Sequence, residues 1–209
     1  MKILIVAATK GEVMGELGNR DEVDLLVTGV GCVPTVYRLT QALAEGSYDL
    51  IVNVGVAGGF GRDLPVGTVV QVGSDCFADL GAEDGDAFLD VFRLGLADPD
   101  EAPFREGRLQ NNFQVTGLPV VRGITVNTAH GNQERIERTR SLFPAEVESM
   151  EGAGFFYVCM NRGQRCLQVR GISNFVERRC RENWDIPLAV KNLNAALPGV
   201  LDECLRKPF

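Results

Sequence analysis

The sequence has few of the residues on which several common site types depend. It contains one histidine and one tryptophan in 209 residues, and none of its six cysteines forms a C-x-x-C pair. Zinc sites built from several histidines are therefore excluded, and a Ser-His-Asp triad would depend on His130 alone. Because we expect no secretory leader, the cysteines do not indicate a disulfide framework. The sequence predicts no metal site.

The chain also lacks a basic excess and a long apolar run. Its 21 lysines and arginines are outnumbered by 28 acidic residues, which gives a net charge of −7, whereas a nucleic-acid binder needs a basic face. No apolar run approaches the ~18 residues of a membrane span. The run at 3–8 is too short for a secretory segment. We therefore expect a cytoplasmic protein that binds neither nucleic acid nor membranes.

Strand patterns and helix patterns alternate along the chain. Apolar runs predict strands at 2–8, 23–28, 50–54, 68–72, 76–77, 120–126, 145–149 and 165–172. Helical spacing predicts helices at 35–45, 132–141, 151–162 and 185–205. Pro198 should kink or split the last helix. The pattern predicts an α/β fold, a single domain over 1–209 with a mixed, mostly parallel central β-sheet flanked by helices.

Two segments depart from this alternation. Residues 81–117 are acidic and rich in Gly, Asp and Pro, which predicts a long excursion with short helices, often a lid or a subunit contact. Residues 55–61 are glycine-rich and predict a turn whose backbone N–H groups can approach a ligand. They are not a dinucleotide fingerprint, because no G-x-G-x-x-G follows the first strand. A P-loop is also excluded, because the chain has no G-K-[ST].

Two glutamates lie where predicted strands give way to helices. Glu12 stands three residues after Thr9, so it completes a capping box, yet it is also a carboxylate available as a general base. Glu151 in a first helical turn suits the helix dipole, yet it could accept hydrogen bonds from two sugar hydroxyls. Both interpretations stay open for each residue.

The last predicted strand also ends in polar residues. Arg170 would be costly at a buried strand end without an anionic partner or a ligand. Asn174 is either a cap or turn residue, or an amide that reads the edge of a heterocycle. Trp184 is either core or a stacking platform, and His130 is typical of a surface loop. The arginines at 178, 179 and 181 alternate with Glu177 and Glu182, which predicts a solvated, self-neutralised segment, with a role in holding a ligand carboxylate as the alternative.

Taken together, four motifs and Glu12 resemble the purine nucleoside phosphorylase/nucleosidase family. The motifs are NVGVAGG at 53–59, LPVGTV at 64–69, VESMEGA at 147–153 and VRGISN at 169–174. They occur in the family's order and span nearly the whole chain. The resemblance implies a nucleoside phosphorylase-like fold, a small-molecule nucleoside substrate, no cofactor and a homo-oligomer, a dimer or larger.

The resemblance also implies roles for particular residues. Glu12, Asn174 and Arg170 are the expected catalytic residues. The expected substrate-binding residues are Val56, Ala57, Gly58, Met150, Glu151, Ser173 and Trp184. Glu12 would activate water, Glu151 would hold the ribose diol, and Arg170 would fix Glu12 and the water. Adenine-releasing relatives have Asp at the position of Asn174 and Ser at that of Val56, so an amide here favours a 6-oxopurine leaving group.

Two rival functions remain open at this point. A phosphorylase would need arginines on the glycine-rich loops to hold phosphate, and residues 29–31 and 55–61 contain none. Hydrolysis is therefore favoured over phosphorolysis. A non-catalytic nucleoside-binding module would keep Glu151 and Asn174 but would not need Glu12. A nucleotide-binding oxidoreductase is less consistent with the sequence, because its fingerprint is missing.

Overall fold

The computed structural model of the protein describes residues 1–14 and 21–206. The strands are β1 (Ile3–Ala7), β2 (Val23–Val27), β3 (Leu50–Gly59), β4 (Val69–Asp75), β5 (Gly81–Asp84), β6 (Ala87–Asp90), β7 (Phe104–Arg105), β8 (Arg108–Gln110), β9 (Val120–Thr125), β10 (Val147–Ser149) and β11 (Cys166–Phe175). The helices are α1 (Cys32–Glu45), α2 (Gln133–Leu142), α3 (Gly152–Asn161) and α4 (Ile186–Arg206).

Within the described ranges, nine strands form one mixed sheet, and β5 and β6 form a separate hairpin. Strand β1 lies between β2 and β3, parallel to both. Strands β3, β10, β9, β4 and β11 are hydrogen-bonded in a closed ring, because β11 pairs with β3 in parallel and with β4 in antiparallel orientation. The predicted α/β class with a mixed, mostly parallel sheet is confirmed.

The apolar strands are buried on both faces because helices cover both sides of the sheet. Along β1, Ile3 and Ile5 pack with α4, whereas Leu4 and Val6 pack with α1 and α3. Alternate residues of a strand point to opposite faces, so a strand covered on both sides needs a continuous apolar run. The run at 3–7 meets that requirement, and all five of its residues are buried.

The glycine-rich segment is strand over residues 55–59, so the prediction of a turn at 55–61 was wrong for these five residues. Strand β3 continues to Gly59, with β11 paired along one edge and β10 along the other. The glycines are accommodated because side chains of neighbouring residues fill the space where Cβ atoms would lie. A Cβ on Gly55 would come within 2.9 Å of Glu12 Oε1, and one on Gly58 within 3.3 Å of Asn174 Nδ2.

The excursion forms hairpins, and the short helices predicted within 81–117 were wrong. Strands β5 and β6 pair with each other, and β7 and β8 pair with each other, so local antiparallel pairing satisfies the backbone. Positive φ angles at Gly85 (60°) and Gly107 (71°) suit the turns that join each pair. Strand β8 also joins the main sheet beside β4.

Two helix predictions need smaller corrections. Helix α1 begins at Cys32, three residues earlier than predicted, with Pro34 in its first turn, where a missing N–H is tolerated. Helix α4 runs through Pro198 without being split. Its buried residues Leu193, Leu197 and Leu201 pack on the sheet, and such packing supplies most helix stability in proteins. Among the helices of the described residues, none is long and apolar enough to cross a membrane.

Candidate active site

A cavity of about 550 Å³ opens beside the carboxyl ends of β1, β3 and β11. In open α/β sheets, ligands bind beyond these strand ends. The cavity is lined by every sequence-predicted site residue except Arg170, namely Glu12, Val56, Ala57, Gly58, Met150, Glu151, Ser173, Asn174 and Trp184. Residues from five separate segments of the chain therefore line one cavity.

Arg170 is buried behind the cavity rather than on its wall. Its side chain is 1% exposed, and its Nη1 lies 3.9 Å from Glu151 Oε2. Its Nε donates to Gln168 Oε1 at 3.2 Å, and its Nη2 donates to Asn53 Oδ1. The carboxylate of Glu151 thus supplies the anionic partner that a buried guanidinium requires. Among the described residues, Arg170 forms no hydrogen bond with Glu12, although both side chains border Gly55.

Glu12 completes the capping box and also lines the cavity. It ends a short 3-10 helix, Lys10–Glu12, and its Oε2 accepts a hydrogen bond from the Thr9 N–H at 2.8 Å. Its other oxygen, Oε1, lies over Gly55 on the cavity side. The backbone is held from α4, because Asn194 Nδ2 donates to the Glu12 carbonyl at 2.9 Å. One carboxylate oxygen therefore caps the turn while the other is available for chemistry.

Glu151 is the residue that precedes α3, and its side chain does not cap that helix. Its Oε1 instead accepts a hydrogen bond from the Gly31 N–H at 2.9 Å. The residue is 6% exposed and yet lines the cavity. With Gly31 on one oxygen and Arg170 near the other, the carboxylate is held in one orientation and can still accept hydroxyl donors.

Asn174 lies next to an irregularity in β11. The pairing of β11 with β3 shifts register between Ile172 and Asn174, and such bulges re-aim side chains at sites. Ser173 Oγ donates to Asn174 Oδ1 at 2.7 Å, and Asn174 Nδ2 donates to the Phe175 carbonyl at 3.0 Å. The amide is fixed over Gly58, with one N–H and one lone pair left for a ligand.

His130 is not an exposed loop histidine, and that interpretation was wrong. Its side chain is 13% exposed and its Nδ1 contacts Glu148 Oε2. The His130 backbone N–H donates to Glu148 Oε1 at 2.9 Å, and Nε2 lies 2.9 Å from Thr139 Oγ1. Both His130 and Glu148 line the cavity. The only advance signal was a glutamate inside a short buried strand, between Val147 and Ser149.

Sequence reasoning also missed a buried polar network behind the cavity. Asp75 is fully buried, and its Oδ2 accepts from Gln168 Nε2 at 3.2 Å. Its Oδ1 accepts from Thr125 Oγ1 at 3.0 Å, and Thr125 in turn accepts from the Ala153 N–H of α3 at 2.7 Å. Burial raises the pKa of Asp75 to about 6, against the lowering effect of Gln168, Thr125 and nearby arginines. The sequence did contain a signal for this network, because Asp75, Thr125 and Gln168 are polar residues next to or within apolar strand segments.

Trp184 and Arg179 form the outer part of the wall. Trp184 is half-buried, and the Arg179 guanidinium carbon lies 5.0 Å from its ring centroid. Glu177 pairs instead with Arg62 at 3.3 Å. Within the described residues, Arg179 forms no salt bridge with Glu177 or Glu182, contrary to the self-neutralised arrangement that the sequence predicts.

The fold and this cavity define a class of protein. The phosphorylase superfamily model matches residues 8–206, and the chain belongs to that superfamily. Within it, the chain is similar to futalosine hydrolases. It is 37% identical over 182 residues to the one from Acidothermus cellulolyticus, covering 85% of this chain and 74% of the relative. It is 35% identical over 180 residues to the Streptomyces coelicolor enzyme, covering 83% and 76%.

Solved structures share the fold at lower identity. The native futalosine hydrolase of Helicobacter pylori superposes with a TM-score of 0.78 at 18% identity, covering 97% of each chain. The 5'-methylthioadenosine/S-adenosylhomocysteine nucleosidase of Neisseria meningitidis, in complex with methylthio-immucillin-A, gives 0.77 at 18% identity, covering 96% of this chain and 98% of that one. These two likenesses concern the fold.

Proposed function

We propose that this protein hydrolyses the N-glycosidic bond of futalosine, releasing hypoxanthine and dehypoxanthine futalosine, a step in menaquinone biosynthesis. Water supplies a hydroxyl group to C1′ of the ribose, and the departing base takes up a proton, so no cofactor is consumed. The observation that carries the proposal is that Glu12, Glu151 and Asn174 line one cavity. These three side chains match the needs of the reaction: an activated water, a held ribose and a stabilised leaving base.

The ribose is held by Glu151, whose carboxylate accepts hydrogen bonds from the 2′- and 3′-hydroxyls. Met150 packs against the sugar. Arg170 acts through Glu151, since its Nη1 lies 3.9 Å from Glu151 Oε2. Glu12 orients and deprotonates the attacking water with Oε1, the oxygen that is not used to cap Thr9. The positive charge that develops on the ribose is stabilised by these two carboxylates.

The base lies on the floor formed by Val56, Ala57 and Gly58, with Trp184 at its side. Asn174 donates one N–H to O6 of hypoxanthine and accepts a hydrogen bond from the protonated N7. Ser173 supports this orientation, because its hydroxyl donates to Asn174 Oδ1 at 2.7 Å. An amide cannot act as a proton donor in the way an acid can, so the N7 proton comes from solvent.

Water is favoured over phosphate as the nucleophile by the charges around the cavity. Glu12, Glu148 and Glu151 line it, and Arg179 is the only arginine or lysine among the described lining residues. A monoanionic or dianionic phosphate beside three carboxylates would be repelled, and phosphate sites generally use several cations or exposed N–H groups.

The proposal includes a cytoplasmic homo-oligomer. Apolar side chains are exposed on α1 and α3, with Val33 75%, Tyr37 61% and Tyr157 40% exposed. Exposed apolar patches commonly mark subunit contacts. The single-domain organisation over 1–209, with its excursion at 81–117, is part of the same proposal.

The test is a chromatographic assay of the purified protein with futalosine, inosine and methylthioadenosine, each with and without phosphate. We expect hypoxanthine release from futalosine that does not depend on phosphate. Replacing Glu12 by Gln should lower kcat by about 10²–10⁴-fold, because the general base is lost. Glu45→Gln, which changes an exposed glutamate at the end of α1, is the matched control and should behave like the wild type.

Other products would contradict the proposal. Phosphate-dependent formation of a sugar phosphate would make the protein a phosphorylase. Adenine release from methylthioadenosine, or hypoxanthine release from inosine without cleavage of futalosine, would make it a different purine nucleosidase. Nucleoside binding without turnover, or full turnover by Glu12→Gln, would rule out the assigned mechanism.

A further inference from the structure

A single cation lies on the wall of the site cavity. Among the lining residues that the structure describes, Arg179 is the only arginine or lysine. Its backbone N–H donates to the Gly131 carbonyl at 3.2 Å, and its guanidinium lies over the Trp184 ring at 5.0 Å. The backbone is therefore anchored, and stacking on Trp184 restricts the side chain in a way that suits a planar guanidinium.

The charge of Arg179 is not paired with an acidic side chain within the described part of the chain. No carboxylate of residues 1–14 or 21–206 forms a salt bridge with it, although acidic residues flank it in sequence. Glu177 pairs with Arg62 at 3.3 Å and also accepts a hydrogen bond from Asn183 at 2.8 Å. Arg178, the adjacent arginine, does not line the cavity. Arg179 is thus an available cation that faces the ligand space.

Arg179 lies at the outer edge of the cavity, beside Trp184 and away from the buried floor. Ala57 and Ser173 on the floor are each 3% exposed, whereas Arg179 and Ile186 are exposed at the outer edge. The purine and ribose of a nucleoside carry no formal charge, so they do not require a cation there. A substituent on the ribose C5′ lies outside the contacts assigned to the base and to the ribose diol, so the outer edge of the cavity is the place open to it.

We infer that Arg179 binds a carboxylate carried on the 5′ substituent of the substrate. This inference rests on the proposed function, because futalosine carries a benzoate-type group at that end. A carboxylate placed deeper in the cavity would lie beside Glu12, Glu148 and Glu151 and be repelled. At the outer edge, the guanidinium can pair with both carboxylate oxygens through two parallel hydrogen bonds. Residues 81–117 of the same chain do not line the cavity, which favours Arg179 over that segment.

The experiment combines two enzymes with two substrates. Wild-type protein and Arg179→Gln are each assayed with futalosine and with its methyl ester, which keeps the shape of the 5′ group and removes its charge. The variant should lower kcat/KM for the acid about 10- to 100-fold more than for the ester, the range for a charge-assisted hydrogen bond. Arg179→Lys should lose less, because it keeps the charge without the two-pronged geometry.

Arg178→Gln is the matched control, since it removes the same charge from the neighbouring residue outside the cavity. It should leave the ratio of acid to ester unchanged. Equal losses on acid and ester in Arg179→Gln would mean that Arg179 only shapes the wall, and the inference would be wrong. If Arg178→Gln lowered the ratio of acid to ester equally, the effect would be a general attraction between charges, and the inference of a specific contact with Arg179 would be wrong. If the wild type does not cleave futalosine, the proposed function is wrong, and this result is obtained before any variant is measured.

Discussion

At the scale of single residues, this site depends on side chains that are fixed from one side and free on the other. Glu12 caps Thr9 with one oxygen and presents the second to the cavity. Asn174 is oriented by Ser173 and by its own contact with the Phe175 carbonyl. Fixing a group before the substrate arrives avoids ordering costs during the reaction. In the proposed function, the choice of amide over acid at 174 would decide which base the site accepts.

Replacing Asn174 by Asp should change the preferred leaving group. A carboxylate cannot donate to O6 of a 6-oxopurine, but it can accept from the amino group of a 6-aminopurine. We expect the kcat/KM ratio of futalosine to its 6-amino analogue to fall by about 10²-fold or more, within the 10⁴–10⁵ that polar mismatches can reach. Asn112→Asp, which adds a charge on an exposed loop, should keep the wild-type ratio. An unchanged ratio in Asn174→Asp would show that Asn174 does not read the base.

At the scale of secondary structure, β3 makes room for the site because several of its residues are glycines without side chains. Its glycines leave space that the side chains of β11 and of the first turn occupy. Gly55 lies under the Arg170 guanidinium and the Glu12 carboxylate, and Gly58 lies under the Asn174 amide and Val176. A strand with ordinary side chains here would fill the volume that the side chains of Glu12, Arg170 and Asn174 occupy.

The substitution Gly55→Ala tests this arrangement. The added methyl group would overlap Arg170 Nη1 and lie 2.9 Å from Glu12 Oε1, so both side chains must move. We expect kcat to fall at least tenfold, because misplacement by about 1 Å can cost 10²-fold, and stability to fall by about 1–3 kcal/mol. Gly199→Ala in α4 meets nothing within 4 Å, so it should be neutral or stabilising. Full activity in Gly55→Ala would contradict the assigned role of this close approach.

At the scale of the whole molecule, a buried polar network joins the sheet to the helix that presents Glu151. Asp75 on β4 contacts Gln168 on β11, which contacts Arg170, and it reaches the start of α3 through Thr125 on β9. Three strands and one helix are therefore positioned together around one carboxyl group. Residue 152 must be a glycine next to this carboxyl group, since a Cβ on Gly152 would overlap Asp75 and Gln168.

The raised pKa of Asp75 makes the free energy of unfolding depend on pH. The pKa is about 6 in the folded protein against 3.8 for the free group, so the folded state holds the proton more tightly than the unfolded state does. The stability that this proton contributes is complete below the unfolded pKa and is lost as the pH rises through the folded pKa. The loss amounts to about 3 kcal/mol for this shift.

Urea unfolding between about pH 3 and 8, from roughly one pH unit below the lower of these pKa values to two units above the higher, would measure it. The free energy of unfolding of the wild type, minus that of Asp75→Asn, should fall across this window and level off above it. Thr125→Val, which removes a donor to the carboxylate, should move the window to higher pH, and it serves if Asp75→Asn does not fold. Parallel curves for wild type and both variants would contradict the assignment.

Much of this arrangement could be predicted from local patterns. Apolar runs such as 3–7 identified the strands because burial on both faces leaves no polar position. The order of the motifs identified the family, and the resemblance predicted that Glu12, Glu151 and Asn174 belong to one site. The turn predicted at 55–61 was wrong for residues 55–59 because glycine frequency indicates missing side chains but not what fills their place. His130 was misjudged because its partner, Glu148, is 18 residues away in sequence.

The sequence by itself determined the alternation of strands and helices, the absence of a basic face and the residue types that the chemistry needs. These properties are local or compositional, so they can be read without knowing which segments meet. Only the tertiary structure decided that Arg170 pairs with Glu151, that Asp75 anchors the network, and that Arg179 lines the cavity without a salt bridge to any residue of 1–14 or 21–206. Each of these depends on contacts across strands and loops far apart in the chain, and burial and charge pairing take effect only once those contacts exist.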